Sequence, residues 1–231
     1  MITETGSKFR KSNIKIKIQN NILKTLTLVL FYSLSVFTYG QDTLKIDSSG
    51  YKLKEFYLSL NVSNLWLAGH RINWETGEPD TSNTTTETKT HCSAFVASAC
   101  KRLGIYILRP PEHGQVLLSN AQYEWLFTNE AQEDGWKHID GDDFKSAQQY
   151  ANSGSVVVAV YKNPNKKKAG HIALVMPAET DNNILNEEGP NIIQAGIENS
   201  DSINLREGFK HHIKDWPESD IVFFYNEKKI W

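Results

Sequence analysis

The chain changes periodicity at Gly154, and that change sets its fold class. Beyond it come four short runs of strand character: SVVVAVY (155–161), HIALVM (171–176), NIIQAG (191–196) and DIVFFYNEK (220–228). The first is rich in β-branched residues, as a buried strand requires. Before Gly154 the apolar residues recur at helical spacing. YKLKEFYLSLNVSNLWLAGHRI (51–72) would turn Phe56, Leu60, Leu65 and Trp66 inward. SAFVASACKRLG (93–104) repeats Phe95, Val96, Ala99 and Leu103, with Gly104 as its stop. QVLLSNAQYEWLF (115–127) and DDFKSAQQYANSG (142–154) read likewise, the second capped by Asp142 or Asp143 and stopped by Gly154. Helices first and strands later predict an α+β domain, with helices packed on one side of an antiparallel sheet. The turn NPNKKKAG (163–170) is too short for a parallel crossover, so the first two strands should form a hairpin.

The N-terminal segment stands apart from this pattern. Residues 1–24 carry Lys8, Arg10, Lys11, Lys15, Lys17 and Lys24 against one acid, Glu4, and the apolar run LTLVLFYSLSVF (26–37) follows. A basic leader, a short apolar stretch and a small residue at its end, here Gly40, have the form of a secretory signal peptide. The run is about a dozen residues, short of the ~20 that span a bilayer. Retention as an N-terminal anchor is the alternative. Residues 1–40 are therefore assigned to the signal, and 41–231 to a single domain of suitable size, its N-terminal part a helical extension. A secreted or periplasmic location is expected, with no stable membrane insertion after signal removal.

That domain carries 19 Lys and Arg against 26 Asp and Glu, a mildly acidic balance. It lacks the basic footprint of nucleic-acid binding. One core uses the apolar faces, so a monomer is the expected state. WETGEPDTSNTTTETKT (74–90) is polar throughout and reads as an exposed loop leading into the cysteine helix.

Two cysteines in an exported chain would ordinarily be joined. Here both lie in THCSAFVASACKRLGI (90–105), eight residues apart on one helical segment. At ~1.5 Å rise per residue they are separated by about 12 Å along the axis. A disulfide holds its Cα atoms within about 7 Å. Two free thiols are therefore expected, with Cys100 on the apolar side as a core residue. Cys92 opens the helix, where unpaired N–H groups and the positive dipole end would lower its pKa. Thr90 and Ser93 are candidate caps. Position alone leaves two readings of Cys92: a nucleophile, or a small, inert, buried residue.

A thiolate needs a base. Among the seven histidines, His171 opens an apolar strand directly after Ala169-Gly170, an odd place for an imidazole serving packing alone. An exposed strand-end histidine is the plain alternative. His91 adjoins Cys92, but neighbouring side chains diverge. His211-His212 is a pair without ligand spacing, and nothing resembles HExxH or CxxC, so neither a metal nor any other cofactor is expected. A third polar group would fix the base's tautomer. Gln194 is the polar side chain inside NIIQAG, with Glu198 and Asn199 as rivals just beyond and a surface edge-strand role as the alternative.

HCSAFVASACKRLG, followed by a strand with GHIALV and another with a polar residue, resembles the NlpC-type and CHAP-type papain-like cysteine hydrolases. The resemblance covers about residues 88–200. It implies a papain-like α+β domain with Cys92 as nucleophile, His171 as base and Gln194 or a neighbour as the group that orients it. It also implies a cysteine peptidase or amidase, acting on amide bonds of cell-wall peptidoglycan. Trp66, Trp74 and Ser93 are the candidate substrate contacts, the two tryptophans by stacking on sugar or peptide, with buried packing as their alternative. The chain departs from the families' pattern in having His91 before the cysteine, where an acid or Asn is usual. Its Cys-to-His interval of 79 residues is also long, with 105–154 as added helices. Two alternatives accompany the cell-wall reading: a cysteine hydrolase or acyltransferase for another substrate, and an inactive ligand-binding module of the same fold.

Overall fold

The computed structural model describes residues 43–80, 90–141, 143–216 and 220–231. The expected signal segment lies outside the described residues, as do 81–89 of the polar loop and Asp142. Among the described residues no helix is long and apolar enough to cross a membrane.

The helices are α1 (Ser48–Ser59), α2 (Cys92–Arg102), α3 (Leu118–Leu126), α4 (Asn129–Glu133), α5 (Asp143–Asn152), α6 (Asn182–Glu188) and α7 (Leu205–Gly208). The strands are β1 (Thr43–Leu44), β2 (Trp136–His138), β3 (Val157–Tyr161), β4 (His171–Val175), β5 (Thr180–Asp181), β6 (Asn191–Gln194), β7 (Ser200–Asn204) and β8 (Ile221–Asn226). Strands β1 and β5 pair with each other. The remaining six form one sheet in the order β2-β8-β3-β4-β6-β7, antiparallel at every step. This is an α+β fold built on an antiparallel sheet. The expected hairpin is β3–β4, with Tyr161 opposite His171.

Helices cover both faces of the sheet, not one. On the first face Val158, Val160, Ile172, Leu174 and Ile193 pack with Phe95, Val96 and Ala99 of α2. On the second, Val157, Ala159, Ala173 and Val175 meet Ala147 and Ala151 of α5 and Leu205 of α7. Burial on both faces explains why β3 and β4 read as continuous apolar runs instead of alternating ones. Two buried amides fix α5 to this sheet. Gln148 Nε2 donates to the Met176 carbonyl (3.0 Å), and its Oε1 accepts from the Asn191 N–H (3.0 Å). Asn152 exchanges two bonds with the backbone of Ala178, both 2.9 Å.

The helix expected over 51–72 starts earlier and stops sooner. Asp47 caps α1 by accepting from the Ser49 and Gly50 N–H groups, each at 2.9 Å. The helix ends at Ser59, and Asn61 and Trp66 adopt left-handed backbone (φ 56° and 53°) that no α-helix continues through. Leu53, Tyr57 and Leu60 face inward, whereas Phe56 and Leu65 are half-buried. The short polar strands β2 and β7 carry no pattern that their sequences announce.

Candidate active site

Cys92 is the first residue of α2. The cap position belongs to His91, whose side chain makes no capping bond and whose Nε2 instead meets the His70 carbonyl at 2.8 Å. Neither Thr90 nor Ser93 caps this helix. The backbone amides of Ile172 from β4, of Ser93 and of Cys92 itself lie close enough to the sulfur to favour its thiolate. The β4–β6 ladder contains only Leu174↔Ile193 and Val175↔Ile192, so Ile172 lies past its end. Gln122 of α3, itself buried, ties down the helix start by donating to the carbonyls of Ser93 (3.2 Å) and Leu108 (3.0 Å).

The helix start was expected to lower the Cys92 pKa, and the structure corrects this. The three N–H groups do pull it down, but Cys92 is only 4% exposed and burial pushes the thiol above its ordinary value. Cys100 has a firmer version of the same fate. It is wholly buried, and its thiol is pushed up to about 12. Both cysteines are free, as their spacing on one helix requires.

His171 is placed by what precedes it. A Cβ on Gly170 would come within 2.1 Å of the Tyr161 carbonyl oxygen and 2.6 Å of Asn120 Oδ1, so only glycine fits there. Asn120 clamps the same turn, donating to the Lys168 carbonyl (2.9 Å) and accepting from the Asn163 N–H (3.1 Å). The His171 ring then meets Gln194 across the sheet, with Nε2 and Oε1 2.8 Å apart.

The amide orientation follows from its other end, where Gln194 Nε2 donates to the Glu198 carbonyl at 3.3 Å. Oε1 therefore accepts, His171 carries its proton on Nε2, and Nδ1 holds the lone pair. Of the three rivals, Gln194 is the residue bonded to the imidazole. Glu198 contributes a backbone carbonyl, and the Asn199 side chain is engaged with Gly196, Val62 and Leu65. Burial, with His212 beside it, depresses the His171 pKa to about 3, opposed by the Gln194 bond. The ring is neutral at physiological pH.

Two side chains that sequence reasoning left unused frame this ring. His212 stacks on it at 4.8 Å between centroids with 5° between planes, and Phe209 meets it edge-on at 4.6 Å. His171 thus projects toward the second face of the sheet. Cys92 packs in the core of the first face and reaches the end of β4 from that side. They meet β4 from opposite faces of the sheet, Cys92 on the side of Ile172 and the imidazole on the side of Phe209. Among the described residues no hydrogen bond joins thiol and imidazole.

A cavity of about 160 Å³ opens beside His171 and Gln194, walled by Glu198, Glu207, Lys210 and His212; Cys92 is not part of its lining. None of the expected substrate contacts lines this cavity. Trp66 is fully buried, packed edge-on to Phe95 at 5.2 Å with Nε1 donating to the Trp74 carbonyl, so it has no face to offer a ligand. Trp74 is half-buried under Lys101, in the last turn of α2. That lies about 13 Å along the helix axis from Cys92 at ~1.5 Å per residue. Ser93 is buried beside Cys92 and is not part of the cavity lining. Residues 74–80 of the polar loop lie along the C-terminal half of α2, where the Glu75 carbonyl accepts from Ser98 and Arg102.

No protein-family model matches this chain, and no curated protein matches it significantly.

Proposed function

We propose that this chain is a secreted cysteine hydrolase of papain-like, NlpC- or CHAP-type architecture that cleaves an amide bond in peptidoglycan peptide through a thioester on Cys92. The observation that carries the reading is the His171–Gln194 hydrogen bond, which reserves Nδ1 as a base on the strand against which Cys92 and its helix pack.

In the resting state both partners are neutral, thiol and imidazole. The reaction requires Sγ and His171 Nδ1 within hydrogen-bonding distance, so a rearrangement at the start of β4 must accompany substrate entry, since the two side chains rest on opposite faces of the sheet. Nδ1 takes the thiol proton as sulfur attacks the carbonyl carbon. The resulting imidazolium gives that proton to the leaving amine. Water, deprotonated by the same Nδ1, then hydrolyses the thioester and frees the acid. The uncapped N–H groups at the start of α2 are available to the oxyanion, where one such donor lowers the barrier by roughly 3–4 kcal/mol. Gln194 holds the proton-bearing Nε2 throughout, as the third member of a triad does.

Digestion of purified peptidoglycan, with products read by mass spectrometry, tests the assignment. Wild-type protein should release peptide fragments with new termini, and Cys92→Ala should release none. Equal product from both would remove Cys92 from the chemistry.

A second reading, a binding module of the same fold, is supported by a cavity that reaches His171 and Gln194 without Cys92 and by the raised thiol pKa. It predicts retention of soluble peptidoglycan fragments without cleavage, unchanged in Cys92→Ala.

A further inference from the structure

We propose that His212 is a positioning residue for His171: its ring holds the imidazole plane against Gln194, and its own proton, when present, excludes a second one from His171. The inference rests on the hydrolase reading for its consequence, and on the stacked geometry for its substance.

The His171 ring is constrained on three sides. Gln194 Oε1 fixes its edge at 2.8 Å, Phe209 meets it at 71° between planes, and His212 covers a face at 5° between planes. A neutral aromatic residue would cover that face equally well. An imidazole adds a titratable charge within 4.8 Å of the ring that must itself become cationic during proton transfer. Like charges at that separation disfavour each other, more so where water is excluded.

His212 is also the member of the pair with access to solvent protons. Both rings border the cavity, but His212 is half-buried while His171 is 3% exposed. Several groups among the described residues surround His212. His211 adjoins it, His171 and Tyr161 face it from β4 and β3, and Glu198, Glu207 and Lys210 share the cavity wall. Glu207 and Lys210 are paired with each other. Burial and His211 hold the His212 pKa below its ordinary value. A proton on His212, 4.8 Å away, raises the energy of the His171 imidazolium. The acid limb of catalysis is then set by His212 and not by His171.

Imidazole NMR titration of the full chain from pH 3 to 9 tests this, with His212→Phe and His212→Asn alongside. In the wild type the His171 signals should respond as His212 protonates. In His212→Phe, which keeps a stacked ring without charge, the His171 midpoint should move up by on the order of one pH unit. Its Nε2–H signal should persist there and weaken in His212→Asn. A His171 titration indifferent to His212 in the wild type, or unmoved in both variants, overturns the inference.

Cys92 alkylation by iodoacetamide and hydrolysis of peptidoglycan in the same samples separate the two failures. A shifted His171 midpoint with an inert Cys92 and no hydrolysis removes the hydrolase reading and leaves the coupling. Hydrolysis through Cys92 with an unmoved midpoint does the reverse.

Discussion

Replacing Gln194 by leucine removes one acceptor and keeps the volume nearly constant, so it isolates the hydrogen bond. Both partners are buried, His171 at 3% and Gln194 at 5% exposure. The substitution strands the His171 Nε2–H at the end of a 2.8 Å bond, and the Glu198 carbonyl loses its donor. A buried donor left without a partner costs about 1–3 kcal/mol. A neutral imidazole can escape part of that cost by moving its proton to Nδ1, which is the tautomer unable to accept from Cys92. The expected outcome is a fall in kcat of about 5- to 160-fold, each ~1.4 kcal/mol being tenfold, with KM changed far less. ¹⁵N chemical shifts of the His171 ring should report the switch directly: Nε2 protonated in the wild type, mixed or reversed in Gln194→Leu. Gln194→Glu, which restores an acceptor, should return the Nε2–H tautomer. An unchanged tautomer together with an unchanged rate in Gln194→Leu would refute the orienting role.

Three further outcomes follow from burial. Burial holds the Cys92 thiol above its ordinary value, so iodoacetamide labelling of the free protein should be slow at pH 7 and rise into the alkaline range; fast labelling near pH 6 would contradict the neutral resting pair. His171 is depressed from 6.5 to about 3, so the unfolded chain binds the extra proton. The stability contributed by the neutral ring is complete above pH 6.5 and is lost as pH falls toward 3. Urea unfolding across that window should show a slope that flattens in His171→Gln. Gln148→Leu should cost about 2–4 kcal/mol in the same assay, because it orphans the Met176 carbonyl and the Asn191 N–H; a loss below 0.5 kcal/mol, roughly the scale of a neutral surface change, would contradict the staple.

The candidate site was legible where residue type and local pattern coincide. Cys92 before a helical apolar stripe, His171 opening an apolar run and Gln194 alone among apolar neighbours could each be singled out from the chain. The strands β3, β4, β6 and β8 announced themselves by β-branched and aromatic runs. What was hidden depends on tertiary packing. Continuous apolarity in β3 and β4 signals two covered faces, yet the expectation placed helices on one. Trp66 looked like a helix residue because its spacing suits one, but left-handed backbone at Asn61 and Trp66 folds that segment back over α2. The stack of His212 on His171 joins residues 41 positions apart through α7, a four-residue helix with no sequence signature. The pKa of Cys92 was misjudged for a related reason: the helix start is visible in sequence, whereas the depth of its burial is not.

The most direct test of the central claim is acylation of Cys92 itself. The full chain would be mixed with a peptidyl p-nitrophenyl ester, quenched in acid, and mapped by peptide mass spectrometry. The account predicts an acyl group on Cys92 that accumulates and then clears in the wild type, and forms at least tenfold more slowly in His171→Ala. An acyl group that never appears on Cys92, or forms equally fast without His171, would contradict it.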